Sequence, residues 1–126
     1  MIRQRFSSVV FPPTCVHCNR PGANQIDLCL DCLNQFTRVE NPCPKCGLPL
    51  PPGANAESCG KCLNKPLHLD AVIAPFVYDG LLQALIYRMK FRRDPAIAAV
   101  LGKIVARETT ALDTDYLLAV PTHRAT

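Results

Sequence analysis

Two stretches in the second half of the chain repeat apolar residues at helical spacing. Leu81, Leu82, Leu85, Ile86 and Met89 recur along one face, and Ile97, Val100, Leu101, Ile104 and Val105 along another, which predicts two amphipathic helices. Asp79 can cap the first, and Asp94 followed by Pro95 places a capping side chain and a first-turn proline at the start of the second. The apolar runs Ala71 to Tyr78 and Tyr116 to Val120 read as strands, Pro75 marking an edge or bulge in the first and Pro121 ending the second. The predicted order is strand, helix, helix, strand. Before Asp70 no period holds, because nine of the twelve prolines and all eight cysteines fall there. The pattern divides the chain into residues 1–68, where something other than a core must organise the backbone, and residues 69–126, an ordinary α/β segment.

The cysteines supply that organisation. They stand as Cys15-x-x-Cys18, Cys29-x-x-Cys32, Cys43-x-x-Cys46 and Cys59-x-x-Cys62. Two intervening residues suit a tight turn whose thiolates converge on one tetrahedral ion, so four pairs make two complete Zn²⁺ sites of structural type. A single such pair also fits a thioredoxin-type redox motif, but that chemistry needs a βαβ setting, and these pairs lie among proline and glycine turns.

The ligand grouping follows from an internal repeat. Cys15-Val16-His17-Cys18, Pro21-Gly22-Ala23-Asn24 and Cys29-Leu30-Asp31-Cys32-Leu33-Asn34 recur as Cys43-Pro44-Lys45-Cys46, Pro52-Gly53-Ala54-Asn55 and Cys59-Gly60-Lys61-Cys62-Leu63-Asn64. A short insertion between Gly47 and Pro51 accounts for the change of offset. A unit that was duplicated had to fold before its duplication, so Cys15, Cys18, Cys29 and Cys32 are expected to hold one ion and Cys43, Cys46, Cys59 and Cys62 the other, rather than interleaving. The residue after the second cysteine of a zinc knuckle often needs positive φ, which Gly47 adopts freely and Asn19 tolerates. Leu33 and Leu63 are expected to give each site its apolar neighbour. His17 is expected to face solvent, since each site already has four thiolates.

Metal changes the charge picture. The formal net charge is +4 with every cysteine counted neutral; eight thiolates and two Zn²⁺ bring it near zero, so net charge makes no case for nucleic acid. The local basic cluster is Arg88, Lys90, Arg92 and Arg93 with Phe91 among them and Tyr87 beside them. Such a cluster can contact phosphates and bases, and it also fits the solvated C-terminal end of a helix, where cations suit the macrodipole. The run Val9-Val10-Phe11 is too short for a signal peptide and no window approaches a membrane span, which predicts a cytoplasmic protein without membrane insertion.

The ordered motifs resemble the ComF competence family. The likeness rests on Phe11-Pro12-Pro13-x-Cys15-x-x-Cys18, Cys43-Pro44-x-Cys46-Gly47-x-Pro49-Leu50, Cys59-Gly60-x-Cys62, Ala74-Pro75-Phe76-x-Tyr78-x-Gly80, Ile86-x-x-x-Lys90-Phe91 and Val120-Pro121-x-His123-Arg124. The resemblance implies tandem zinc ribbons followed by a phosphoribosyltransferase-type domain, of which residues 69–126 would be the incomplete start. It also implies a role in DNA uptake during natural transformation, with single-stranded DNA or a DNA-processing protein as partner. The family's Arg-Gly-Phe-Asn-Gln motif, acidic pair and Thr-Thr-Gly phosphate loop are not found in this sequence; Glu108-Thr109-Thr110 has neither the acidic pair before it nor the glycine after it. The expectation is therefore a truncated member with no assignable catalytic residue, or an inactive fragment of a phosphoribosyltransferase-like enzyme of nucleotide metabolism. The incomplete α/β segment leaves self-association open.

Overall fold

A computed structural model describes residues 12–54, 58–65, 67–109 and 114–120. Four helices are present among them: α1 (Leu30–Leu33), α2 (Gly60–Asn64), α3 (Gly80–Phe91) and α4 (Pro95–Glu108). The two long helices form where the apolar period predicts them. Leu82 and Leu85 of α3 are buried, with Leu81, Ile86 and Met89 packed at the margin. Ile97, Val100 and Ile104 of α4 are buried and Leu101 is half-buried, but Val105 is 51% exposed. At the junction, the Asp94 side chain accepts hydrogen bonds from the N–H groups of Ala96 and Ile97 at 3.2 and 3.4 Å, with Pro95 in the first turn. Asp79 precedes α3 in extended conformation and makes no side-chain cap.

The predicted strands do not form among the described residues. Of Ala71 to Tyr78, only Phe76 makes a bridge, antiparallel to Arg38, flanked by Val39 N–H to Pro75 O at 3.1 Å and Val77 N–H to Thr37 O at 2.8 Å. Pro75 has no N–H to give, and one short partner segment cannot extend the ladder. Tyr116 to Val120 is not strand, and its four large side chains are 87–96% exposed. An apolar run has no reason to pair when no sheet lies beside it among the described residues. Phe11, His123 and Arg124, used in the motif comparison, lie outside the described residues.

The main buried cluster crosses the division inferred from the sequence. Cys15, Ile26, Leu28, Cys29, Cys32 and Phe36 from the first cysteine unit pack in one core with Leu82, Leu85, Ile97, Val100 and Ile104. Polar ties reinforce it. Arg88 Nη1 donates to Val16 O at 3.1 Å and its Nη2 meets Asp94 Oδ2 at 3.0 Å; Lys103 Nζ donates to Gln25 O at 3.1 Å and Arg107 Nη2 to Asn24 O at 2.7 Å. Arg38 grips Glu108 at the end of α4 with both nitrogens, at 3.0 and 2.7 Å, and lies 5.0 Å from the centre of the Phe76 ring. The guanidinium holds the Glu108 carboxyl below its ordinary range against the opposing effect of burial. Phe76 in turn meets Phe36 edge-on, with centroids 5.6 Å apart.

Asp94 serves two partners, as cap to α4 and counter-ion to Arg88. Asp94→Ala should lower stability by about 0.5–2 kcal/mol, the usual range for a lost N-cap, read as a lower denaturation midpoint at unchanged slope. Asp94→Asn, which keeps the cap acceptor and removes the charge, should recover most of the loss.

Candidate functional site

The eight thiols gather into two four-sulfur clusters, Cys15, Cys18, Cys29 and Cys32 in one and Cys43, Cys46, Cys59 and Cys62 in the other. Within each, all Sγ atoms lie within 4.8 Å of one another. The grouping is consecutive, as the repeat predicts. Sulfur separations of 3.5 Å for Cys18 to Cys29, 3.7 Å for Cys32 to Cys18 and 3.5 Å for Cys46 to Cys59 are far too long for disulfides. They are what a tetrahedral ion demands: zinc–sulfur bonds of about 2.3 Å put the edges of the tetrahedron at roughly 3.8 Å. Each cluster fits one zinc ion.

The backbone builds the two sites in the same way. Thr14 bridges Pro21, and Pro42 bridges Pro49. Cys15 N–H bonds Arg20 O and Cys43 N–H bonds Leu48 O, both at 2.8 Å. Asn19 N–H returns to Cys15 O, and Gly47 N–H to Cys43 O. Asn19 and Gly47 take φ of 60° and 72°. At Gly47 a side chain is excluded twice, by its φ and because a Cβ would come within 2.8 Å of the Ala74 methyl. The second pair of each unit opens a short helix, Cys29 before α1 and Cys59 before α2, so that the fourth cysteine turns back onto the site; Leu33 N–H bonds Cys29 O and Leu63 N–H bonds Cys59 O. These helices have no apolar period and too few residues to be seen in the sequence. Leu33 packs against the core as expected, whereas Leu63 is 70% exposed. His17 faces solvent.

The thiols of each cluster are driven apart in acidity, as close and interacting groups are. At the first, hydrogen bonding from Arg20 Nε at 3.4 Å brings Cys18 down to about 6, while burial and neighbouring thiols push Cys32 well above its ordinary value. At the second, burial raises Cys43 but the N–H groups of Cys59, Cys46 and Lys45 outweigh it, leaving it at about 6; burial pushes Cys62 up to about 12. Four sulfurs this close cannot all carry charge alone. A divalent ion removes the conflict by taking all four as thiolates.

The basic cluster is only partly a surface. Arg88 spends both terminal guanidinium nitrogens on Val16 and Asp94. Lys90, Phe91, Arg92 and Arg93 are exposed, Arg93 with φ of 52° just past the end of α3. Phe91 lies against Tyr87, ring centroids 4.7 Å apart and planes tilted by 40°, and both rings are more than half exposed. Next to this pair is an open cleft of 490 Å³ lined by Tyr78, Gly80, Gln83, Tyr87, Arg88 and Arg92. The cleft and the place of Tyr78 in it were not legible in the sequence, because they arise where the segment before α3 comes to lie beside that helix. Among the described residues no helix is long and apolar enough to cross a membrane.

Comparison with known proteins agrees with the cysteine geometry. Residues 6–63 match the double zinc ribbon domain. Over 118 residues the chain is 31% identical to the DNA utilization protein YhgH of Salmonella typhi, covering 87% of this chain and 51% of the relative. Identity to the protein of the same name is 30% in Salmonella typhimurium LT2 and 31% in Escherichia coli K12, with the same coverage. The chain thus spans about half the length of the curated relatives it matches. No solved structure gives a significant match.

Proposed function

We propose that the chain is the zinc-stabilised part of a ComF-type DNA-utilisation protein and that the end of α3 contacts single-stranded DNA. The observation that carries this reading is the exposed Tyr87 and Phe91 pair at the end of α3, with the exposed Lys90 and Arg92 next to it in the chain and an open cleft lined by Tyr87 and Arg92. Bases of any sequence stack on aromatic rings, at roughly 1–3 kcal/mol each, and neighbouring cations follow the backbone. A helix end that merely needed cations for its dipole would not also need two exposed rings beside them. The relatives' name, which concerns DNA utilization, supports the same direction. A DNA-processing protein with an acidic surface is the other partner this face would suit.

In this reading residues 69–126 begin an α/β domain of phosphoribosyltransferase type. The nearly complete exposure of the apolar Tyr116 to Val120 segment favours it, since such a run calls for a sheet partner that the described residues do not supply. Self-association through that segment is the competing way to cover it. No catalytic role is assigned to any residue.

Titrating the zinc-loaded chain into a fluorescent single-stranded oligonucleotide, and following anisotropy at several salt concentrations, tests the proposal. Affinity should fall with salt by about 0.7 logarithmic units per phosphate contact for each tenfold rise. Lys90→Ser with Arg92→Ser should flatten that slope, and Tyr87→Ala with Phe91→Ala should weaken binding at least tenfold at constant slope. Equal binding by both variants would remove this face from the interaction.

A further inference from the structure

The two metal sites share a backbone plan but not an environment. At the first, Arg20 covers the sulfurs: its Nε donates to Cys18 Sγ at 3.4 Å and its Nη1 pairs with Asp31. Cys15, Cys29 and Cys32 are also part of the core shared with α3 and α4. A depression of 300 Å³ reaches this site only at Cys29, which is 6% exposed and walled by Arg20 and Asp31.

At the repeat-equivalent positions the second site has Leu48 in place of Arg20 and Lys61 in place of Asp31. The ion pair is gone. In its place an apolar cleft of 430 Å³, walled by Leu48 and Leu67 and rimmed by Lys61 and Lys65, runs down to Cys46 and Cys62. Cys46 and Cys59 are only half-buried, and none of the four sulfurs is in the core cluster shared with the helices.

We infer that the second site is a reactive zinc centre, which gives up its ion to chelators and thiol oxidants while the first stays loaded and holds the fold. Metal-bound thiolates react in proportion to their access and their uncompensated charge. Hydrogen bonds from a cation to sulfur withdraw that charge; among the described residues the first site alone has an arginine making one, while the second has the neutral Cys59 N–H on Cys43 Sγ at 3.3 Å. The lysines at the mouth of the second attract anionic reagents without touching its sulfurs. With peroxide as oxidant, four thiolates, two H₂O₂ and four protons give two disulfides and four waters. Each peroxide takes two electrons from a pair of sulfurs as its O–O bond breaks, and the zinc leaves as the free ion.

The zinc-loaded full chain is treated with hydrogen peroxide, or separately with excess 4-(2-pyridylazo)resorcinol, which reports released zinc by colour. Aliquots are quenched with N-ethylmaleimide and the modified cysteines mapped by mass spectrometry. The first equivalent of zinc should leave at least tenfold faster than the second, with modification confined to Cys43, Cys46, Cys59 and Cys62 and the helical circular dichroism retained. Release of both ions together, or first from the Cys15 site, would overturn the inference. Arg20→Leu alters an exposed ion pair rather than a ligand and should speed release from the first site severalfold; Leu48→Arg with Lys61→Asp should slow the second. If Arg20→Leu left the first site's rate unchanged, the ion pair would not be what distinguishes the two centres.

Discussion

Cys15→Ser is expected to cost the chain one zinc and most of its helical signal, whereas Cys43→Ser costs the other zinc and leaves α3 and α4 folded. A structural site in a small domain contributes about 10–16 kcal/mol through its ion, and whole domains are stable by only about 5–15 kcal/mol. Whatever depends on the first site is therefore lost with it. Cys15 is fully buried in the cluster that also holds Leu85, Ile97 and Val100, and Val16 beside it accepts the hydrogen bond from Arg88. The helices have no comparable apolar support elsewhere among the described residues. Cys43 is equally buried but stands outside that cluster. Metal counting by mass spectrometry together with far-ultraviolet circular dichroism checks both variants. Two equal losses of helix, or none in Cys15→Ser, would show that the shared core does not couple metal to helices.

How much of this was legible beforehand depended on whether a feature is local in the chain. Cysteine spacing, the repeat, the positive φ of Asn19 and Gly47 and the Asp94 cap are all set within a few residues, and each was readable. The short helices after Cys29 and Cys59 were not, because their geometry is imposed by the sulfur cluster rather than by helix propensity. The expected strands failed for the opposite reason. Val and Ile content indicates that a segment can pair, but the partner must come from elsewhere, and among the described residues the backbone of Ala71 to Tyr78 pairs only with Thr37, Arg38 and Val39. The basic cluster was visible as composition; that Arg88 faces inward to Val16 and Asp94 while Lys90 and Arg92 remain exposed depended on a contact 72 residues away.

Leu85→Ala should weaken zinc binding at the first site although Leu85 makes no bond to metal. Its side chain is fully buried where α3 meets the first ribbon, and truncating such a leucine costs about 2–5 kcal/mol through lost transfer energy and the cavity left behind. When a site exists only in the folded chain, binding free energy and folding free energy are linked, so that cost is subtracted from the apparent affinity. At about 1.4 kcal/mol per tenfold, the first site should lose on the order of a hundredfold in affinity for zinc. The second, outside the shared core, should be nearly unchanged. Competition with a chelator of known strength, resolving the two equivalents, measures both. Since no ligand and no residue near the sulfurs has been altered, a selective loss at the first site can arise only through the packing that joins the ribbon to its helices. An equal loss at the two sites would mean instead that the chain folds as one cooperative unit.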